Sequence, residues 1–201
     1  IQQIPLLSQE RCFHLFGLDC TPQPRIFSKT LVDRSVVHAP NAVLSNKPIT
    51  IGHQYSVLAY LPPKEHPNSH WVLPIEAKRV PSDKKGNEFG LSQWTALVQD
   101  NTLELSGHLC AVVGDSLYGT PACQKQAQAL PDTVLIARTR GDRTFYDTPA
   151  SVSGIRKGHP RWYGEPMKLD DPTTHRAPNE TAAIKTKTKK GKVITIELTS
   201  W

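Results

Sequence analysis

Ala111-Val112-Val113-Gly114-Asp115-Ser116-Leu117-Tyr118-Gly119-Thr120 is an apolar run that ends on an aspartate and passes at once into turn residues. Far upstream, Phe16-Gly17-Leu18-Asp19-Cys20-Thr21-Pro22 has the same form. A strand that delivers an Asp at its end sets a carboxylate at the lip of a sheet, where a ligand can reach it. Two such strands side by side bring two carboxylates within reach of one divalent cation, which takes hard oxygen ligands at about 2.1 Å. The expected separation of the two carboxylates is then roughly 4–6 Å. A metal-dependent active site is the most economical reading of the pair.

Working outward, Arg11 to Cys20 reads as a buried strand stopped by Thr21-Pro22-Gln23-Pro24, because proline donates nothing to a ladder. Residues 25–48 are punctuated by Pro and Asn and read as a long ordered loop. Ile49 to Leu61 and Trp71 to Val80 are rich in β-branched and aromatic residues and read as strands, with Lys64 to Ser69 as the turn between them. Gly52 suggests a bulge in the first of these. Leu91, Trp94, Leu97 and Val98 recur at helical spacing within Glu88 to Val98. Leu109 to Val113 fits a strand covered on both faces. Gly119 to Ala129 reads as a helix with Pro121 in its first turn, and Val134 to Ala137 as a further strand.

The order is β-β-β-α-β-α-β, an α/β class. Strands joined by short links suggest antiparallel pairing, and the strand–helix–strand units suggest parallel pairing. This is the ribonuclease H-like arrangement, a mixed sheet with helices on its faces. Its first and fourth strands are neighbours at the centre, and these are the strands that carry Asp19 and Asp115. Pattern and chemistry agree.

The chain has 201 residues, a formal net charge of +6 and a pI of about 9.2. That balance favours a polyanionic partner. Residues 151–201 hold ten Lys/Arg against five acids, so most of the excess charge lies there. We therefore expect two parts: residues 1–148 as the catalytic core, incomplete, and residues 149–201 as a basic, loop-rich, Pro/Lys-rich insertion or linker with a terminal strand. Lys185, Lys187, Lys189, Lys190 and Lys192, together with Arg138 and Arg140 after the last core strand, are the candidate DNA contacts. Cys12, Cys20, Cys110 and Cys123 form no C-x-x-C pair, which argues against structural zinc and for reduced core cysteines in a cytoplasmic protein. His14, His53, His66, His70 and His108 lack metal spacing. No apolar run approaches the ~20 residues of a membrane span. The opening at Ile1 and the close at Trp201 read as cut ends.

Several segments taken together carry a resemblance. They are Gly17-Leu18-Asp19-Cys20-Thr21-Pro22-x-Pro24-Arg25, Asn46-Lys47-Pro48-Ile49 to Tyr55-Ser56, and Trp71-Val72-Leu73-Pro74 to Lys78-Arg79. To these are added Asp115-Ser116-x-Tyr118-Gly119, and Gly158-His159-Pro160-Arg161 to Leu169-Asp170-Asp171-Pro172. The chain resembles the DDE superfamily endonuclease transposases of bacterial insertion sequences over nearly its whole length. The resemblance implies three acids holding Mg²⁺ (or Mn²⁺) and DNA, the transposon ends, as partner; a homo-oligomer is left open. Asp19 matches the first acid and Asp115 the second. The third, a Glu on a late helix, has no counterpart. Glu165, Glu180 and Glu197 follow the last core strand, and none lies in a helical pattern. The chain thus reads as a truncated member, expected to fold without cutting or joining DNA.

Asp33 in Leu31-Val32-Asp33-Arg34 is a rival first acid, although it follows no clean strand. Three function classes fit the residues: a transposase core, a non-catalytic DNA-binding remnant of one, and an unrelated small-molecule α/β enzyme.

Overall fold

The computed structural model describes residues 11–28, 30–39, 48–63, 71–100, 103, 105–150, 162–188 and 190–201. Asn46-Lys47, the turn Lys64 to Ser69, His66, His70, Gly158 to Arg161 and Lys189 lie outside them. The described chain forms two compact units, residues 1–139 and 140–201.

The first unit is built on β1 (His14–Pro24), whose residues alternate buried and less buried from His14 to Leu18. It pairs antiparallel with β3 (Ile49–Tyr60), Phe16 opposite Tyr60 and Pro24 opposite Gly52. On its other edge it runs parallel to β5 (Cys110–Gly114), from His14 opposite Cys110 to Leu18 opposite Gly114. β6 (Thr133–Ala137) adds to β5 in parallel. β2 (Ser35–His38) and β4 (Leu73–Val80) pair antiparallel with β3 and complete a six-stranded mixed sheet. This is an α/β fold of the ribonuclease H-like kind.

Helix α1 (Gly86–Asp100) covers one face of the sheet. Leu91 and Trp94, at the spacing read from the sequence, are fully buried against Phe16, Leu58, Tyr60 and Val112, and Leu97 and Val98 pack at the margin. Phe16 sits at the centre, 4.7 Å from the Trp94 ring and 5.3 Å edge-on from Tyr60. Helix α2 (Pro121–Gln128) starts where Thr120 caps it, its hydroxyl accepting from the Cys123 N–H at 3.3 Å. Cys123 and Ala127, one turn apart, are its buried face. Gln126 reaches across to the Ser92 and Thr95 hydroxyls of α1.

Four expectations are corrected. β1 does not stop at Cys20 but runs to Pro24. The Arg25 N–H donates to Ile51 C=O at 2.8 Å, so odd-numbered N–H groups of this stretch point at β3. Pro22 and Pro24 therefore face the other edge, which β5 has already left, and their missing N–H groups remove no ladder bond. Residues 25–48 are not all loop, since Ser35–His38 forms a short strand. Gly52 marks no bulge: a Cβ there would lie 2.2 Å from the Gln23 carbonyl oxygen, and the irregularity of β3 falls at Leu58/Ala59 instead. Cys12 is exposed and Cys20 half-buried, so core burial holds for Cys110 and Cys123 alone.

The second unit holds two antiparallel ribbons and a 3-10 turn, Pro172–Thr174. One ribbon is β7 (Thr144–Tyr146) with β8 (Pro166–Lys168). An Arg176–Asp147 ion pair at 2.7 Å closes that region. The other ribbon is β9 (Glu180–Lys187) with β10 (Val193–Ser200). Its register gathers Ala182, Ile184, Ile196 and Leu198 on one face and Lys185 and Lys187 on the other.

His14, buried at the start of β1, gives the fold a pH dependence. Burial, then the neighbouring His108 and Arg11, lower its pKa below the ordinary 6.5. The folded state thus prefers the neutral ring. Its contribution to stability is complete above the unfolded value and is lost as pH falls from there through the folded value. We expect the unfolding midpoint to drop as pH falls below the ordinary histidine value of 6.5, and to drop less in His14→Phe. Thermal melts of both chains across that value check it.

Candidate metal site at the end of the parallel strands

The parallel ladder of β1 and β5 ends at Leu18 opposite Gly114. Asp19 and Asp115 are the residues that follow this last pair in their two segments. Neighbouring strands run about 4.8 Å apart, and residues in register share a face. Asp19 is not the end of a strand, as the sequence suggests, but the first residue of β1 beyond its parallel partner. Asp115 is the first residue after β5. Both are exposed, and among the described residues neither forms an ion pair.

Each carboxylate has local support. The Thr21 hydroxyl, two residues on and on the same face, donates to Asp19 Oδ2 at 3.4 Å. The Leu117 N–H donates to Asp115 Oδ1 at 2.9 Å, an Asx turn that orients the side chain. The Tyr118 N–H donates to the Asp115 carbonyl at 3.1 Å and closes the turn. From α1, the Asn87 amide donates to the Leu117 carbonyl at 2.6 Å.

Beneath this turn lies a nook that the sequence reading missed. Tyr118 is fully buried, and its hydroxyl is in hydrogen-bond contact with the Cys20 thiol at 3.5 Å. Burial, then the Cys20 contact, then the charges of Asp19 and Asp115, push the Tyr118 phenol far above its ordinary value. Burial also pushes the Cys20 thiol up, and both aspartates add to the rise. One phenol and one thiol thus feel both carboxylates. Sequence alone reads Tyr118 as part of a turn and Cys20 as a core residue. The signal that was available is the glycine before Asp115, whose missing Cβ leaves room for a ring.

Of the other candidates, Arg138 follows Ala137, the last residue of β6, which pairs with Gly114. It is exposed, and its carbonyl lies 3.3 Å from where a Cβ on Gly119 would be. Arg140 is engaged with Asp142 at 2.9 Å. Lys185 and Lys187 stand exposed on β9, and Lys190 and Lys192 on the turn after it, which Gly191 makes with φ of 78°. Asp33 does not join the acids. It pairs with Arg79 at 3.2 Å, accepts from the Ser82 N–H at 3.0 Å, and is held with φ of 56°. Among the described residues no group of three His, Cys, Asp or Glu is placed to hold a metal ion. No helix of the described residues is long and apolar enough to cross a membrane.

A mixed sheet of this topology is the ribonuclease H-like α/β arrangement. A family profile described as DDE superfamily endonuclease matches residues 1–197, and the chain belongs to that family. Membership carries a transposase-like nuclease function with DNA as substrate, in a superfamily that generally uses divalent metals. No curated protein and no solved structure matches the chain.

The Gly114 position tests the local architecture. A Cβ there would lie 2.6 Å from ring carbons of Tyr118. Gly114→Ala should cost about 1–3 kcal/mol of stability through overpacking. Denaturant unfolding of the variant measures this, and a neutral result would mean that the ring moves freely.

Proposed function

We propose that Asp19 and Asp115 together hold one divalent cation, Mg²⁺ or Mn²⁺, and that the chain engages DNA at transposon ends through this locus and its basic side chains. The parallel register that ends at Leu18 opposite Gly114, one residue before each aspartate, supports the reading. The donor set fits: two exposed carboxylates that form no ion pair among the described residues match a hard cation. Such a cation, when bound, supplies positive charge to a phosphoryl oxygen and lowers the pKa of a coordinated water.

The chain's own residues do the rest. The Asx turn at Leu117 and the Thr21 hydroxyl orient the carboxylates. Arg138, in the next strand position, offers its guanidinium to a phosphate beside the pair. Lys185, Lys187, Lys190 and Lys192, with Lys189 between them in sequence and Arg140 upstream, neutralise backbone phosphates with little regard to base sequence.

With two acids and no third among the described residues, a second cation lacks a protein anchor. Two-metal displacement stabilises both the attacking and the leaving oxygen. We infer that the chain is a DNA-binding, cation-holding core that does not itself cleave. Incubated with supercoiled plasmid in Mg²⁺ or Mn²⁺, it should leave the plasmid intact. Nicking that disappears in Asp115→Ala would overturn this and recruit Glu165, Glu180 or Glu197 as the third ligand. DNA affinity should fall steeply between about 50 and about 200 mM salt. An affinity unchanged by salt, or by replacing Lys185, Lys187, Lys190 and Lys192 with Gln, would exclude the lysines as contacts.

A further inference from the structure

We propose that Tyr118 is the positioning residue of the acidic pair: its buried hydroxyl, on the turn that carries Asp115, is tied to the residue next to Asp19 and so fixes the separation of the two carboxylates. This rests on the reading of Asp19 and Asp115 as the cation site.

The path is short and continuous. Tyr118 closes the turn onto the Asp115 carbonyl at 3.1 Å. Its ring lies where a Cβ on Gly114 would stand, 2.6 Å away, so the residue before Asp115 is packed directly on it. Its hydroxyl reaches Cys20 at 3.5 Å, and Cys20 follows Asp19 in β1. The two aspartates are thus joined twice, once by the parallel ladder and once through Tyr118 and Cys20.

The ladder alone is a weak brace here, because it stops before either aspartate. Beyond Leu18 the β1 edge has no parallel partner, and Asp115 is on a turn. Tyr118 supplies the missing cross-strand tie. The surroundings are shaped for the hydroxyl and not merely for a ring. A Cβ on Gly90 of α1 would lie 2.7 Å from it and 3.0 Å from the Ser56 hydroxyl. Ser56 is itself fully buried and faces the Cys20 thiol. A glycine one helical turn earlier, Gly86, would similarly set a Cβ 2.8 Å from the Cys20 sulfur. Helix α1 is therefore cut away, at two successive turns of one face, to admit the two partners of this contact.

Mn²⁺ is titrated into the full chain and into Tyr118→Phe, with unbound Mn²⁺ followed by electron paramagnetic resonance and thermal unfolding recorded on the same samples. Tyr118→Phe keeps the ring and removes the tie, and should weaken Mn²⁺ binding by roughly three- to tenfold, the span of one hydrogen bond. Cys20→Ala should give the same loss, and the double variant no further loss, because both remove one interaction. A side chain that only packs would lower the unfolding midpoint and leave Mn²⁺ affinity unchanged. That result, or losses that add, overturns the positioning role. Should Tyr118→Phe fail to fold, Cys20→Ala decides alone. Asp19→Asn and Asp115→Asn separate the two levels. If they leave Mn²⁺ binding unchanged, or if the native chain binds none, the cation site itself is wrong. If they abolish binding while Tyr118→Phe does not alter it, only the positioning role fails.

Discussion

The parallel pairing of β1 with β5, and the point at which it ends, is the constraint on which the rest of this molecule depends. Phe16, Leu18 and Val112 in these strands form the middle of the core that α1 covers, so the register is held by buried side chains that tolerate no slip. A shift of one residue would turn Leu18 out to the face of Asp19 and a carboxylate into the core. The same ladder sets where the parallel pairing stops: Leu18 pairs with Gly114 and Gly114 with Ala137, and Asp19, Asp115 and Arg138 are the residues that follow each in sequence.

Much of this was legible from the chain because burial imposes periodicity. Leu91, Trp94, Leu97 and Val98 mark the helix, and the continuous run before Asp115 marks a strand covered on both faces. What was not legible has physical causes. Ser35–His38 is too short to show a period, and only its pairing with the start of β3 makes it a strand. Pro22 and Pro24 read as a stop because the sequence does not reveal which edge their missing N–H groups face. The roles of Gly52, Gly86 and Gly90 depend on atoms brought close by the fold, which no local pattern encodes. The contact of Cys20 with Tyr118 spans 98 residues and involves two side chains that look ordinary in isolation. The pairing of acids was readable as a possibility of topology, while the scaffold beneath them was not.

The second unit obeys a different balance. Its β9–β10 ribbon buries little, and its lysines stand on the face opposite Ile184, Ile196 and Leu198. Two-stranded ribbons have small stability of their own. Here the ends are fastened instead: Asn179 N–H bonds the Ser200 carbonyl at 2.7 Å, and the Trp201 indole donates to the Arg176 carbonyl at 3.0 Å. Segregating charge from apolar residues by strand alternation lets one thin element present a cationic surface without burying any ammonium group.

The two prolines of β1 bear on how the molecule avoids its own kind. A strand edge that has lost its partner is a template for another chain, and main-chain augmentation there is a common route to aggregation. Past Leu18, β1 presents such an edge, beginning at the exposed Asp19. Pro22 and Pro24 blank alternate donors along it, so an incoming strand finds acceptors without matching N–H groups. Any strand pairing there would find fewer donors than the geometry of a full ladder requires.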